Sequence, residues 1–231
     1  MGEKYLQVLL SILIPIILIL SSITYLSTST YFHKNEIEKG SVIDQNYVSS
    51  TKATEISNEV ISYFKGDKQL TESLVGSKAK LHMADVKNLR DLSIYLLYSL
   101  IVIFLISSII ILVTNKKERF GKSLIYGSAL TLILDVILVT VSQLFFNSFW
   151  TKFHGIIFSN DLWQLDPSQN ALVAVFSQQF FIDFITLMII ITSLISVILL
   201  VLGMYMSSIY SNNQSKKEKT LDLDKSDDFR W

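Results

Sequence analysis

The sequence predicts an all-α integral membrane protein: four transmembrane helices, a small extracellular helical cap and an interfacial or re-entrant segment. Three observations carry that reading. Half of the 231 residues are hydrophobic and only 17% are charged, against about 25% charged in soluble domains. Mean hydropathy is +0.44. The apolar excess is also gathered into four blocks. Each is about 20 residues or longer, enough to cross a ~30 Å hydrocarbon core as a helix. Backbone groups find no water there, so a helix is the economical spanning form.

The first span is about Leu6–Leu26 and contains no charge. Its apolar run exceeds the roughly 7–15 residues of a signal-peptide core, and the flank SSITYLSTS lacks an A-x-A site. A retained helix is expected, kinked at Pro15. The second span is about Leu92–Val113, the third about Ser123–Asn147, and the fourth about Phe184–Met206. Residues 1–211 form one membrane domain. The polar segment 212–231 is expected to be a disordered cytoplasmic tail.

Orientation follows from the bases. The short link 114–122 holds Lys116, Lys117, Arg119 and Lys122, and the tail holds Lys216, Lys217 and Lys219, whereas segment 148–182 holds only Lys152. The positive-inside rule puts link, tail and both termini in the cytoplasm. Segments 28–91 and 148–182 then face the exterior. Within the first, Ile56, Val60, Ile61 and Phe64 follow a helical period and Gly66 supplies a stop. The second is rich in aromatic residues, which favour the headgroup level.

Composition excludes several classes. Zero net charge argues against nucleic-acid binding. Zero Cys removes disulfides, thiol catalysis, Cys-ligated zinc and iron–sulfur clusters. Gly121-Lys122-Ser123 matches the end of a P-loop, but Lys116 stands where its first Gly belongs. Asn213-Gln214-Ser215 fits a glycosylation sequon on the cytoplasmic side. No internal repeat suggests an inverted-repeat transporter.

Three histidines remain: His33, His82 and His154, all in the external segments and all near the ends of spans. If the second helix extends upstream, His82 and Asp85 share a face at i and i+3. His82 then lies about 15 Å beyond Leu92. A carboxylate beside an imidazole fixes its tautomer and stabilises its cation; the plainer alternative is a surface histidine with an acid neighbour. His154 has Phe153 and Ile156–Phe158 around it, and Gly155 permits unusual backbone angles or close approach. Asp166-Pro167 signals a turn. His33 reads as a surface or cap residue. A metal set of His33, His82 and His154 with Asp85 or Asp166 lacks ligand spacing, so no metal is expected. Asp135 is the one acid deep in a span. It is about 28 Å along a helix from His154, too far to act there, and reads as a neutral, hydrogen-bonded structural residue. Two other functions stay open on this evidence: a non-catalytic sensor or assembly partner with an extracellular cap, and a proton-coupled transporter using Asp135.

The run His82-Met83-x-Asp85-Val86-Lys87, then Phe153-His154-x-x-x-Phe158-x-Asn160-x-x-Trp163-x-Leu165-Asp166-Pro167, resembles the bacterial lipoprotein intramolecular transacylase family. Asn170 and Ser177 depart from its usual pattern, as do Ala79 and Lys80 before the first histidine. The resemblance implies a multi-pass protein of the bacterial cell membrane. It also implies an enzyme that moves the sn-2 acyl chain of a diacylglyceryl lipoprotein onto the α-amine of its N-terminal Cys, leaving a lyso-form. The implied partners are that lipoprotein and membrane lipid, with no cofactor. His154 would be the general base and His82, steadied by Asp85, its partner. Trp163 and Asp166 would shape the site, with Lys87 assisting by charge. Oligomeric state is left open.

Overall fold

A computed structural model describes residues 2–40, 48–114, 116–166 and 170–227, and every regular element among them is a helix. In chain order these are α1 (Gly2–Leu26), α2 (Thr30–Glu38), α3 (Ser50–Lys65), α4 (Glu72–Val75), α5 (Ser77–Val113), α6 (Lys117–Leu144), α7 (Phe146–Ile157), α8 (Ala171–Val175) and α9 (Gln178–Asp227). Four of them, α1, α5, α6 and α9, are long and apolar enough to cross a membrane.

The apolar blocks were legible, but their ends moved. α5 is 37 residues long, because SKAKLHMADVKNLRD, ahead of Leu92, contains no Gly or Pro to stop it. His82 and Asp85 thus stand on the polar extension of a spanning helix. The third block stops earlier than expected, at Leu144. Phe145 leaves the helical region (φ −132°, ψ 25°) and α7 starts again at Phe146. α9 continues to Asp227, where a disordered tail was expected. α1 runs through Pro15 without interruption.

The chain divides into two compact units. The first comprises residues 1–18, 98–134 and 192–231. Its interior sets hydroxyl residues among aliphatic ones: Ser123, Ser128, Thr131, Thr192 and Ser196 are fully buried, as are Leu10 and Ile111. Ser11 Oγ donates to the Ser123 carbonyl (3.4 Å) and Ser123 Oγ to the Gln7 carbonyl (3.3 Å). Apolar side chains gain little by leaving lipid, so close backbone approach and such bonds hold spanning helices together. A Cβ on Gly203 would lie 2.7 Å from the Gly121 carbonyl oxygen, and one on Gly127 2.5 Å from Ile14 Cδ1.

The second unit comprises residues 19–97 and 135–191. One apolar cluster joins Leu26, Phe32, Ile56, Val60, Val75, Ala79, Met83, Val175 and Phe180. Ser49 caps α3, and Gly66 ends it in the left-handed conformation (φ 86°), as the sequence indicated. His33 is buried, 4% exposed, and not on the surface. Its Nδ1 lies 2.8 Å from Ser57 Oγ and its ring packs edge-on against Phe32, Phe176 and Phe180. Burial drives its pKa from the ordinary 6.5 down to about 4, so it sits in this core as a neutral ring.

Gly203→Val is expected to lower the thermal midpoint of the detergent-solubilised protein. The contact is with backbone, which cannot change rotamer, and overpacking of this kind costs about 1–3 kcal/mol. Gly155→Ala, whose Cβ meets nothing within 4 Å, is expected to leave the midpoint unchanged or raise it slightly.

Candidate active site

The site grows from two helices of the second unit. α5 presents His82 on its extension, and α7 presents His154 in its last turn. Both histidines are buried, at 8% and 5% exposure. Their ring centroids are 6.0 Å apart. Phe158, just past the end of α7, closes on both: 5.0 Å from His82 and 5.6 Å from His154. Trp150 and Trp163 flank His154 at 4.4 and 5.0 Å. The result is an aromatic box around two imidazoles.

One bond sets the chemistry of His154. Its Nδ1 lies 2.8 Å from the Trp150 carbonyl oxygen, one helical turn back. A carbonyl only accepts, so Nδ1 carries the hydrogen and Nε2 carries the lone pair. His82 has no such anchor; its Nδ1 is buried without a hydrogen-bond partner among the described residues.

Burial lowers both proton affinities. His82 falls from 6.5 to about 4, first through burial and then through the nearby His154, with Asp85 pulling the other way. His154 is lowered by burial, offset in part by its bond to the Trp150 carbonyl. Each ring therefore stays neutral near neutral pH, and charge on one resists charge on the other.

Asp85 lies on the same helix face as His82. Its Oδ2 accepts a hydrogen bond from Asn160 Nδ2 at 3.0 Å. Asn160 Oδ1 in turn accepts from the Leu162 amide at 3.0 Å, an Asx turn that shapes the loop carrying Trp163. Farther along, Lys78 Nζ donates to the Gln164 carbonyl at 2.6 Å. The loop is thus tied to α5 at two points. Asn160 and Phe158 stood in the sequence motif without a role. The carbonyl of Trp150 had no side-chain signal at all.

Other expectations are placed differently. Lys87 turns to Asp91 Oδ2 (3.1 Å) and lies over the Tyr63 ring (5.6 Å), so its charge is engaged there. Asp166 is exposed, and Pro167 of the expected turn lies outside the described residues. Gly155 has neither a positive φ nor a close neighbour; it is an ordinary residue of α7. His33 sits in the core beside α3, bonded to Ser57. Asp135 is buried, 2% exposed, on α6. No group of three or more potential ligands is arranged for a metal among the described residues.

No curated protein matches the chain significantly. Its fold is that of a solved structure of the membrane-integral lipoprotein intramolecular transacylase Lit from Bacillus cereus. The TM-score is 0.80 at 21% identity, covering 91% of this chain and 98% of that one. Two structures of the same protein, with one histidine replaced by arginine or by alanine, align with TM-scores of 0.75 at 20% identity. They cover 93% and 91% of this chain, and 95% and 96% of theirs. The family described as lipoprotein intramolecular transacylase Lit matches residues 8–181. That match takes in the polar extension of α5, the break at Phe145 and the whole of α7, and the chain belongs to this transacylase family.

Proposed function

We propose that the chain transfers the sn-2 acyl group of a diacylglyceryl lipoprotein to the α-amine of the same N-terminal Cys, with His154 and His82 handling the proton. The observation that carries this reading is the pair of neutral imidazoles 6.0 Å apart, one of them with its basic nitrogen already chosen. The amine attacks the ester carbonyl, and a C–N bond forms. The C–O bond to glycerol then breaks, and the amine's proton passes to the leaving oxygen. Nucleophile and electrophile arrive in one molecule, so positioning can supply much of the rate. No protein nucleophile is required, in keeping with a chain that has no Cys.

In this scheme His154 Nε2 takes the proton from the amine. An α-amine has a pKa of about 7.7–8.0 and is mostly protonated at neutral pH, so a neutral base beside it is useful. His82 Nδ1, which has no hydrogen-bond partner among the described residues, faces the oxyanion or hands a proton to the departing oxygen. Only one proton is shared, because the two rings oppose double charging. Asp85, held by Asn160, favours the cation of His82 when that proton arrives. Trp163 and Phe158 keep water from competing with the amine. Asp166 shapes the edge of the site.

The small helices α2–α4 form the extracellular cap in this proposal, α7 lies at the membrane interface, and both termini are cytoplasmic. The bases of the 114–122 link support that orientation.

Three outcomes follow. Mass spectrometry of lipoprotein N-termini from cells expressing the protein should show one acyl chain moved from glycerol to nitrogen. His82→Ala and His154→Ala should abolish the shift while inserting normally, with losses on the order of the 10²–10⁴-fold typical of acid–base groups. Unchanged N-termini with well-expressed wild type would sink the proposal. Titration of His82 by NMR should give a midpoint near 4. Asp85→Asn should move it lower, by removing a group that favours the cation. His154→Ala should move it higher, because both burial and the second ring disfavour that cation; a midpoint of 6.5 in the wild type would contradict the burial argument. Finally, a reporter fused after Trp231 should read out in the cytoplasm.

A further inference from the structure

α7 has a second face that the proposed reaction does not use. Phe145, Ser148, Phe149, Lys152, Phe153 and Ile156 line a groove of about 630 Å³, within the 300–1,000 Å³ range of ligand sites. At about 100° per residue, His154 points about 140° away from Phe149, whereas Ile156 returns to within about 20° of it. The part of the groove along Phe149 and Ile156 therefore faces away from His154, while Phe153, whose ring lies 5.3 Å from that of His154, forms the border between the groove and the imidazole pair.

Its chemistry is that of a phospholipid. The wall is apolar, and much of it is uncovered: Phe145 is 59% exposed and Ile156 81%. Set into it is one cation. Lys152 has no ion-pair partner among the described residues, whereas Lys34, Lys39, Lys80, Lys87 and Lys122 each face a carboxylate. It is also the lone Lys or Arg in segment 148–182, where the positive-inside rule disfavours one. A lysine that flanks phenylalanines at a membrane surface can lay its stem along them and lift its ammonium to the headgroups. Ser148, four residues earlier, adds a hydroxyl on the same side.

We propose that this face of α7 binds one anionic phospholipid, with an acyl chain along Phe145, Phe149 and Ile156 and the headgroup phosphate on Lys152 Nζ. These lipid contacts are not those of the acyl transfer, although Phe153 borders both. The bound lipid ties α7, the helix that presents His154, to the composition of the surrounding leaflet.

The test is native mass spectrometry of the full-length protein in nonionic detergent. Phosphatidylglycerol and phosphatidylcholine of identical chains are titrated separately. One phosphatidylglycerol should be retained per chain, in preference to phosphatidylcholine. Lys152→Gln should weaken phosphatidylglycerol retention about fivefold, the size of one basic residue's attraction to an anionic lipid. It should leave phosphatidylcholine unchanged, and Lys152→Arg should keep the wild-type preference. Glycerol 3-phosphate, a headgroup without chains, should fail to displace the lipid. Equal retention of the two lipids by the wild type would overturn the proposal, as would an unaltered preference in Lys152→Gln. Full displacement by glycerol 3-phosphate would overturn the part played by the groove. Acyl transfer by the wild type is measured separately, so its absence would leave the lipid result standing.

Discussion

Two imidazoles cannot both be charged when they share an apolar enclosure. Much of the second unit follows from that constraint. Each ring loses water on entering the enclosure, which lowers its affinity for a proton, and the nearby His154 lowers that of His82 further. A proton on one ring therefore disfavours a proton on the other. Building such an enclosure requires walls of large, mainly apolar surface. Phe158, Trp150 and Trp163 are those walls. It also requires that the polar groups nearby be tied down, which Asn160 does for Asp85 and Lys78 does for the loop beyond it. The acid that stabilises the occasional imidazolium stays outside the box, and the rings stay in it.

The two units solve different packing problems with different residues. Where lipid surrounds the chain, apolar burial separates protein from protein no better than from acyl chains, so close approach has to come from glycine and serine. The first unit is accordingly tight at Gly121, Gly127 and Gly203 and laced by Ser11 and Ser123. The second unit has large aromatic and branched residues in its interior, with Phe32, Ile56 and Phe180 at its core. His33 belongs to that core. Its ring has become a packing element, bonded to Ser57 and edge-on to phenylalanines.

The four spans could be read from the sequence because length and hydropathy are additive along the chain. The pairing of His82 with Asp85 was legible for a similar reason, being a matter of spacing on one helix. The break at Phe145 was not. LFFNSFW contains no Gly and no Pro, so nothing local marks the point where α6 gives way to α7, and the third span was drawn through to Asn147. The partner of Lys87 was not legible either: a flexible base takes a nearby acid, and Asp91 stands one turn along. Approach of His82 to His154 depends on contacts 72 residues apart in sequence, which periodicity cannot see; only the likeness to a known family pointed there.

The bond from His154 to Trp150 has a consequence for how this protein can change over time. The acceptor is a main-chain oxygen within the same helical turn. No exchange of side chain at position 150 can delete it, and no drift elsewhere in the fold can carry it out of reach while α7 remains a helix. The choice of basic nitrogen is thus sheltered from mutation in a way that the aromatic walls are not. A lineage could replace every ring around the site and still inherit the tautomer.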